Sequence, residues 1–317
     1  MRTTRARSLV VTCRTADDRA LEAGADAAAG THVAGLDITR TRLYAADELY
    51  DAPRYAATFD ARVYHWALAT SGPAEALAEV LHDQAIDTAL GAWTTGRRLV
   101  GVMGAHAADR GSPVYAAAAR LGALLGRAHV VTTGGGPGAM EAANLGGRFA
   151  GGSEEALTEA LRRLAAVPSF RPSVDAWVAT AREALALSPT TPTPSLGVPT
   201  WHYGHEPPNL FATAIAKYFR NALREAILLM VCDAGIVFLP GAGGTVQEIF
   251  QDACENYYAA EEDVAPMVLV GRRYWTEELP AWPLLRALAR GRAMEAHIHL
   301  VDTVEEAAAL FPGPPAG

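Results

Sequence analysis

His129-Val130-Val131-Thr132-Thr133-Gly134-Gly135-Gly136-Pro137-Gly138-Ala139-Met140-Glu141 passes from an apolar run through a glycine cluster into helix-forming composition. A short β-branched run that stops at glycine suits a strand buried on both faces, and such strands belong to parallel sheets covered by helices. Glycines in the turn permit positive φ and close backbone approach, so that free N–H groups and the start of the next helix can face an anion. The same order recurs at Gly235-Ile236-Val237-Phe238-Leu239-Pro240-Gly241-Ala242-Gly243-Gly244-Thr245-Val246-Gln247-Glu248. One such turn is also explained as a tight connection; two at strand ends of one sheet can converge on one phosphate, because open α/β sheets bind ligands outside the carboxyl ends of their strands.

Outward from these turns the rhythm continues. Residues 99–104 (LVGVMG) read as another buried strand, and Ser112 with Pro113 reads as cap and first residue of a helix over 114–125. Helices are expected over 151–167, capped by Ser153, and over 174–187, followed by a Pro/Thr-rich break. The α/β rhythm resumes at 198–203, with a long helix over 210–231, strands at 267–271 and 297–302, and a helix at 282–290 between them. The fold class expected is α/β: a Rossmann-like doubly wound parallel sheet over 96–317, with an N-terminal accessory segment or small domain over 1–95. In that segment a strand at 9–12 and helices at 16–29 and 73–90 are expected, with Tyr55, Phe59, Tyr64 and Trp66 as core rather than a ligand platform.

The bulk numbers exclude several classes. The chain has 317 residues, half of them hydrophobic, and a net charge of −8, which argues against binding a nucleic acid polymer. Cys13, Cys232 and Cys254 are odd in number and widely spaced, so neither a disulfide framework nor a cysteine metal site is expected. No leader pattern and no membrane-length apolar run are read, so the chain is expected to be cytoplasmic, away from membranes. His202 and His205 form an H-x-x-H pair without further ligands at metal spacing, so no metal is expected. Neither glycine turn matches a dinucleotide fingerprint or ends in Gly-Lys-Ser/Thr, which favours a monophosphate. A nicotinamide dehydrogenase would need an acid about 20 residues beyond the first loop, at the end of a second strand, and none is placed there.

TGGGPGAMEAAN at 133–144 together with PGAGGTVQE at 240–248 resembles the signatures of the LOG (Lonely Guy) family of nucleoside 5′-monophosphate phosphoribohydrolases, once labelled lysine decarboxylases. Glu206-Pro207-Pro208-Asn209 is similar to the bacterial purine/pyrimidine nucleotide nucleosidase branch. The resemblance spans residues 99–302. It implies hydrolysis of the N-glycosidic bond to free base and ribose 5-phosphate, no cofactor, an AMP-like ligand, and a homodimer or larger homo-oligomer with the helix before the second loop at the interface. Arg224 and Glu248 would be the catalytic pair. Phosphate and nucleotide would be held by Gly104, Gly134, Gly135, Gly136, Gly138, Met140, Asn209, Gly241, Gly243, Gly244 and Thr245. The chain departs from the pattern at Glu225, where lysine follows the arginine in plant-type members, at Ala242 in a glycine slot, at Gln247, and at Ala105-His106-Ala107, which lacks the family's serines.

An oxocarbenium-like transition state needs negative charge near the ribose and an oriented water. Glu248 is expected to supply both as an ionised carboxylate, and Arg224 to contact the phosphate or the departing base. The alternative is a noncatalytic nucleotide-binding or sensing protein of the same fold. Decarboxylation would need a pyridoxal-phosphate lysine; Lys217 is the only lysine and is expected on the solvated face of the long helix.

Overall fold

The computed structural model describes residues 35–69, 72–202 and 206–313. The strand and helix expected at 9–12 and 16–29, Cys13 and His205 lie outside the described residues. Seven strands form one sheet: β1 Leu99–Met103, β2 Val130–Thr133, β3 Ser195–Gly197, β4 Ala214–Ile215, β5 Gly235–Phe238, β6 Met267–Val270 and β7 Ile298–Val301. Their spatial order is β4-β3-β2-β1-β5-β6-β7, and every pairing is parallel. β1 to β6 are buried on both faces, which is why they read as unbroken apolar runs. The chain winds outward in one direction from β1 to β4 and in the other from β5 to β7, so the order reverses between β1 and β5. That reversal opens the crevice in which doubly wound sheets bind ligands, and the glycine turns follow β2 and β5 on either side of β1.

Helices cover both faces. After α1 Ala46–Leu49, α2 Phe59–Ala69 and α3 Pro73–Thr94 come α4 Pro113–Leu125, α5 Ala139–Phe149, α6 Glu154–Leu164 and α7 Val174–Leu185. The Ser112 and Ser153 hydroxyls accept from the N–H groups of Tyr115 and Ala156, satisfying donors that the first helical turn leaves over. α4 and α5 meet backbone to backbone at Gly122 and Gly146, where a methyl group would overlap the carbonyls of Ala143 and Ala119. α8 Asn221–Met230, α9 Gly243–Tyr258, α10 Ala281–Ala289 and α11 Val304–Ala309 complete the fold.

The expected helix over 210–231 is divided. Its first half is the short strand β4, bridged by Tyr44 and buried among Phe211, Ala216 and Tyr218; only its second half, α8, is helical. The N–H groups of Phe219 and Arg220 donate to the Asp83 carboxylate of α3, at 2.9 and 3.0 Å, and this contact sets where α8 begins. A segment apolar on all sides satisfies helix and buried strand alike, so periodicity alone does not separate them. Lys217 accordingly lies on no helix and not at the surface: it is buried, ion-paired to Asp60, and 5.0 Å from the Trp201 ring centroid. β3 falls within the stretch read as a Pro/Thr-rich break, ahead of 198–203 where the α/β rhythm was expected to resume, and a bridge from Thr200 to Tyr218 lies beyond it.

Residues 35–95 share one apolar cluster with the sheet domain. Leu43, Tyr44, Phe59 and Ile86 are buried in it, and Tyr55, Tyr64 and Trp66 pack on it half-buried. Polar contacts tie the same segment down: Trp201 Nε1 donates to Asp60 at 2.9 Å and the Tyr50 hydroxyl to the Pro208 carbonyl. Among the described residues no helix is long and apolar enough to cross a membrane.

Candidate functional site

The turn after β2 is held by an asparagine network. The Thr133 hydroxyl donates to Asn144 Oδ1 at 2.7 Å and accepts from the N–H of Gly135 at 3.0 Å. Asn209 closes the network: its Nδ2 donates to the Gly136 carbonyl at 3.2 Å and to Asn144 Oδ1 at 3.0 Å. Its Oδ1 accepts from the N–H groups of Phe211 and Ala212, and its own N–H donates to the Gly135 carbonyl. Every polar group of this fully buried side chain is therefore used within the protein. Asn209 thus scaffolds the first turn.

Gly134, Gly135, Gly136 and Gly138 are all buried beneath neighbouring segments. Gly135 adopts φ +72° against Pro199, and Gly138 adopts φ +73° where a methyl group would overlap the His106 carbonyl. Both positions need glycine for backbone reasons before any ligand is considered. Gly104 is likewise a spacer, since a Cβ there would stand 3.0 Å from Leu239 Cβ and 3.4 Å from Ala139 Cβ. It lets the loop after β1 nest between the two glycine turns, joined by Ala139 N–H to the Ala105 carbonyl and Ala105 N–H to the Pro240 carbonyl.

The turn after β5 is more open. Ala242, Gly243 and Gly244 are exposed, and a Cβ on either of those glycines would meet nothing within 4 Å. α9 starts at Gly243 with Ala242 at its cap position and no side-chain cap, so the first N–H groups of a sixteen-residue helix face outward unshielded by a side chain. Thr245 is buried one step further, its side chain folded against Gly241. The Tyr274 hydroxyl donates to the Gly241 carbonyl at 2.7 Å and anchors this turn from the segment after β6, a contact without a local sequence signal.

Arg224 lies against the first turn. It is buried on α8, and its Nη1 would lie 3.6 Å from a Cβ on Gly134, beside the sulfur of Met140. The same Nη1 pairs with Glu225 Oε2 at 2.9 Å, and Nη2 donates to Asn221 Oδ1 at 2.7 Å, while Nε has no partner among the described residues. The Glu225 carboxyl lies close enough to Glu248 of α9 for its charge to act on it. Burial, and then the Glu225 carboxyl beside it, push the Glu248 carboxyl well above the usual carboxylate range, against the pull of Arg224.

A cavity of about 240 Å³ adjoins the first turn at Pro137 and Gly138 and includes His106, Phe170, Arg171 and Trp177 but neither Arg224 nor Glu248. At its floor Arg110 pairs with Glu141 and stacks on Trp177 at 4.4 Å, a buried contact that neither residue's sequence neighbourhood signals. Glu206, the first residue of the Glu-Pro-Pro-Asn run, lies 3.9 Å from His106 on the cavity wall. Among the described residues no group of three or more His, Cys, Asp or Glu is arranged to hold a metal ion.

No protein-family model matches the chain, and a search of curated proteins finds no relative by sequence. Among solved structures, the chain is similar to the molybdenum cofactor binding protein of Rippkaea orientalis, at 18% identity and TM-score 0.40 over 68% of this chain and 96% of that one. It is similar also to the molybdenum cofactor carrier protein of Chlamydomonas reinhardtii, at 19% identity and TM-score 0.40 over 67% of this chain and 94% of that one. The sheet order and the all-parallel pairing make this chain a Rossmann-like, doubly wound α/β protein.

Proposed function

We propose that this chain is a LOG-type nucleosidase that hydrolyses nucleoside 5′-monophosphates to free base and ribose 5-phosphate. The observation that carries this reading is the position of Arg224, whose guanidinium sits against the first glycine turn while its charge acts on the Glu248 carboxyl of α9. In this reading the 5′-phosphate lies on the open N–H groups of Gly243 and Gly244 with Thr245 beside them, where backbone dipoles favour an anion. The ribose then lies over Glu248, whose carboxylate form lowers the energy of the oxocarbenium-like transition state. The unpartnered Nε of Arg224 is a donor for a ligand oxygen or a base nitrogen. The first turn, buried and held by Asn209, acts as a rigid wall rather than a cradle of free N–H groups. Leu223 and Met230, exposed on α8, support self-association along that helix.

A second reading, a nucleotide sensor without turnover, is favoured by Ala242 in a glycine slot and by the burial of the first turn. Purified protein incubated with AMP, GMP, CMP and UMP, assayed for ribose 5-phosphate, separates the two. Release that disappears in Glu248→Ala supports hydrolysis, whereas binding without release supports the sensor.

A further inference from the structure

α8 begins at Asn221, and its own sequence gives that start no cap: Arg220 stands at the cap position with an exposed side chain that makes no capping hydrogen bond. Asp83 of α3, 137 residues away, holds it instead. One oxygen of its buried carboxylate accepts from the N–H of Phe219 at 2.9 Å and the other from the N–H of Arg220 at 3.0 Å. Hydrogen bonds from backbone N–H groups to a carboxylate are among the strong ones, and negative charge at a helix N-terminus is favoured further by the backbone dipoles. Asp83 is itself fixed. The adjacent His82 has Nδ1 3.4 Å from Asp83 Oδ1 and Nε2 2.8 Å from the Tyr44 hydroxyl, and its ring packs on those of Phe219 and Trp201 at 5.1 and 5.4 Å between centroids.

Arg224 hangs from this same point twice. Its backbone N–H donates at 3.0 Å to the carbonyl of Arg220, the residue whose N–H Asp83 holds. Its Nη2 donates at 2.7 Å to Oδ1 of Asn221, the next residue along. On the far side the guanidinium has little room, since Nη1 would stand only 3.6 Å from a Cβ on Gly134. A displacement of the first turn of α8 is therefore carried to the guanidinium where it meets the first glycine turn.

We propose that Asp83 is a positioning residue for Arg224: by pinning the start of α8 from the accessory segment, it fixes the guanidinium against the first glycine turn. Residues 35–95 thereby belong to the working site instead of merely covering the sheet. The consequence for turnover rests on the nucleosidase reading above; the placement of the guanidinium does not. Misplacing a site group by about 1 Å can cost about a hundredfold in rate. Asp87, one turn later on α3, supplies a control, because it accepts from the Tyr218 hydroxyl at 2.7 Å, a side-chain contact ahead of α8 and not a hold on its backbone.

The test compares wild type, Asp83→Asn, Asn221→Ala, Asp87→Asn and Arg224→Lys in two measurements. The first needs no activity: the Nε–H NMR resonance of Arg224 in isotope-labelled protein, assigned by its disappearance in Arg224→Lys. Asp83→Asn and Asn221→Ala should both shift or broaden it, and Asp87→Asn should leave it in place. An unmoved resonance in folded Asp83→Asn would overturn the proposal, and so would equal movement in Asp87→Asn, which would reduce the effect to general loosening. The second is kcat/KM for ribose 5-phosphate release from AMP. Asp83→Asn should lose about tenfold or more, yet lose almost nothing further when introduced into Arg224→Lys, because it acts through the guanidinium. The same loss in both backgrounds would place the action of Asp83 elsewhere and overturn the proposal. No release from any nucleotide by the wild type, with the resonance moving as expected, would refute the nucleosidase reading and leave the placement standing. Thermal denaturation identifies a variant that does not fold; Asp83→Glu, which keeps the charge but displaces it by one methylene, then replaces Asp83→Asn under the same criteria.

Discussion

Asn209→Ala separates scaffold from ligand contact at the first turn. Truncation removes four side-chain hydrogen bonds, to the Gly136 carbonyl, to Asn144 Oδ1, and from the N–H groups of Phe211 and Ala212. At about 1 kcal/mol net for each bond the loss is about 4 kcal/mol. Asn144 keeps the Thr133 hydroxyl, but two buried N–H groups and one carbonyl are left without this partner, which pushes the cost up rather than down. An unfolding entropy of about 2.1 cal/mol/K per residue over 317 residues converts this to a fall in Tm of about 6 °C. Differential scanning calorimetry without nucleotide reads the shift, and calorimetric titration with AMP reads affinity in the folded variant. A Tm within about 1 °C of wild type, together with lost AMP binding, would refute the scaffold assignment and return Asn209 to the ligand.

Gly138→Ala should cost more than Gly96→Ala in urea denaturation: both have positive φ, at +73° and +74°, but only Gly138 faces a carbonyl in contact. The conformational part is about 1 kcal/mol in each, so equal losses would show that the close approach to His106 is not felt. Gly244→Ala should leave Tm unchanged or raise it, because the site is open and alanine favours helix by about 1 kcal/mol. The same change should weaken AMP binding in calorimetric titration, and unchanged affinity would remove the phosphate from this turn. Among the described residues the buried Oδ2 of Asp252 finds no hydrogen-bond partner, and burial pushes its carboxyl well above the ordinary 3.8. Its folded form holds the proton to higher pH than its unfolded form, so its stability contribution is full below the ordinary value and is lost as pH rises toward the folded one. Asp252→Asn should therefore gain in Tm relative to wild type as pH rises above the ordinary carboxyl value, and a pH-independent difference would refute the shift.

Much of the architecture is written locally. The buried strands show as apolar runs, Ser112 and Ser153 announce helix starts within three residues of the N–H groups they accept from, and both glycine turns sit where a strand hands over to a helix. Such signals are short-range consequences of backbone hydrogen bonding, so one stretch of chain contains cause and effect. The roles of the site residues are not of this kind. Asn209 lies 65 residues from Asn144, and the Asp83 carboxylate that starts α8 lies 137 residues from Arg220. Glu225 was legible only as a departure from a family pattern; packing of α8 against α9 brings its charge to bear on Glu248. Burial then pushes the Glu248 carboxyl above the range it has in water. Composition and spacing name the groups available, but the desolvation and like-charge contact that set their protonation exist only once distant helices have met.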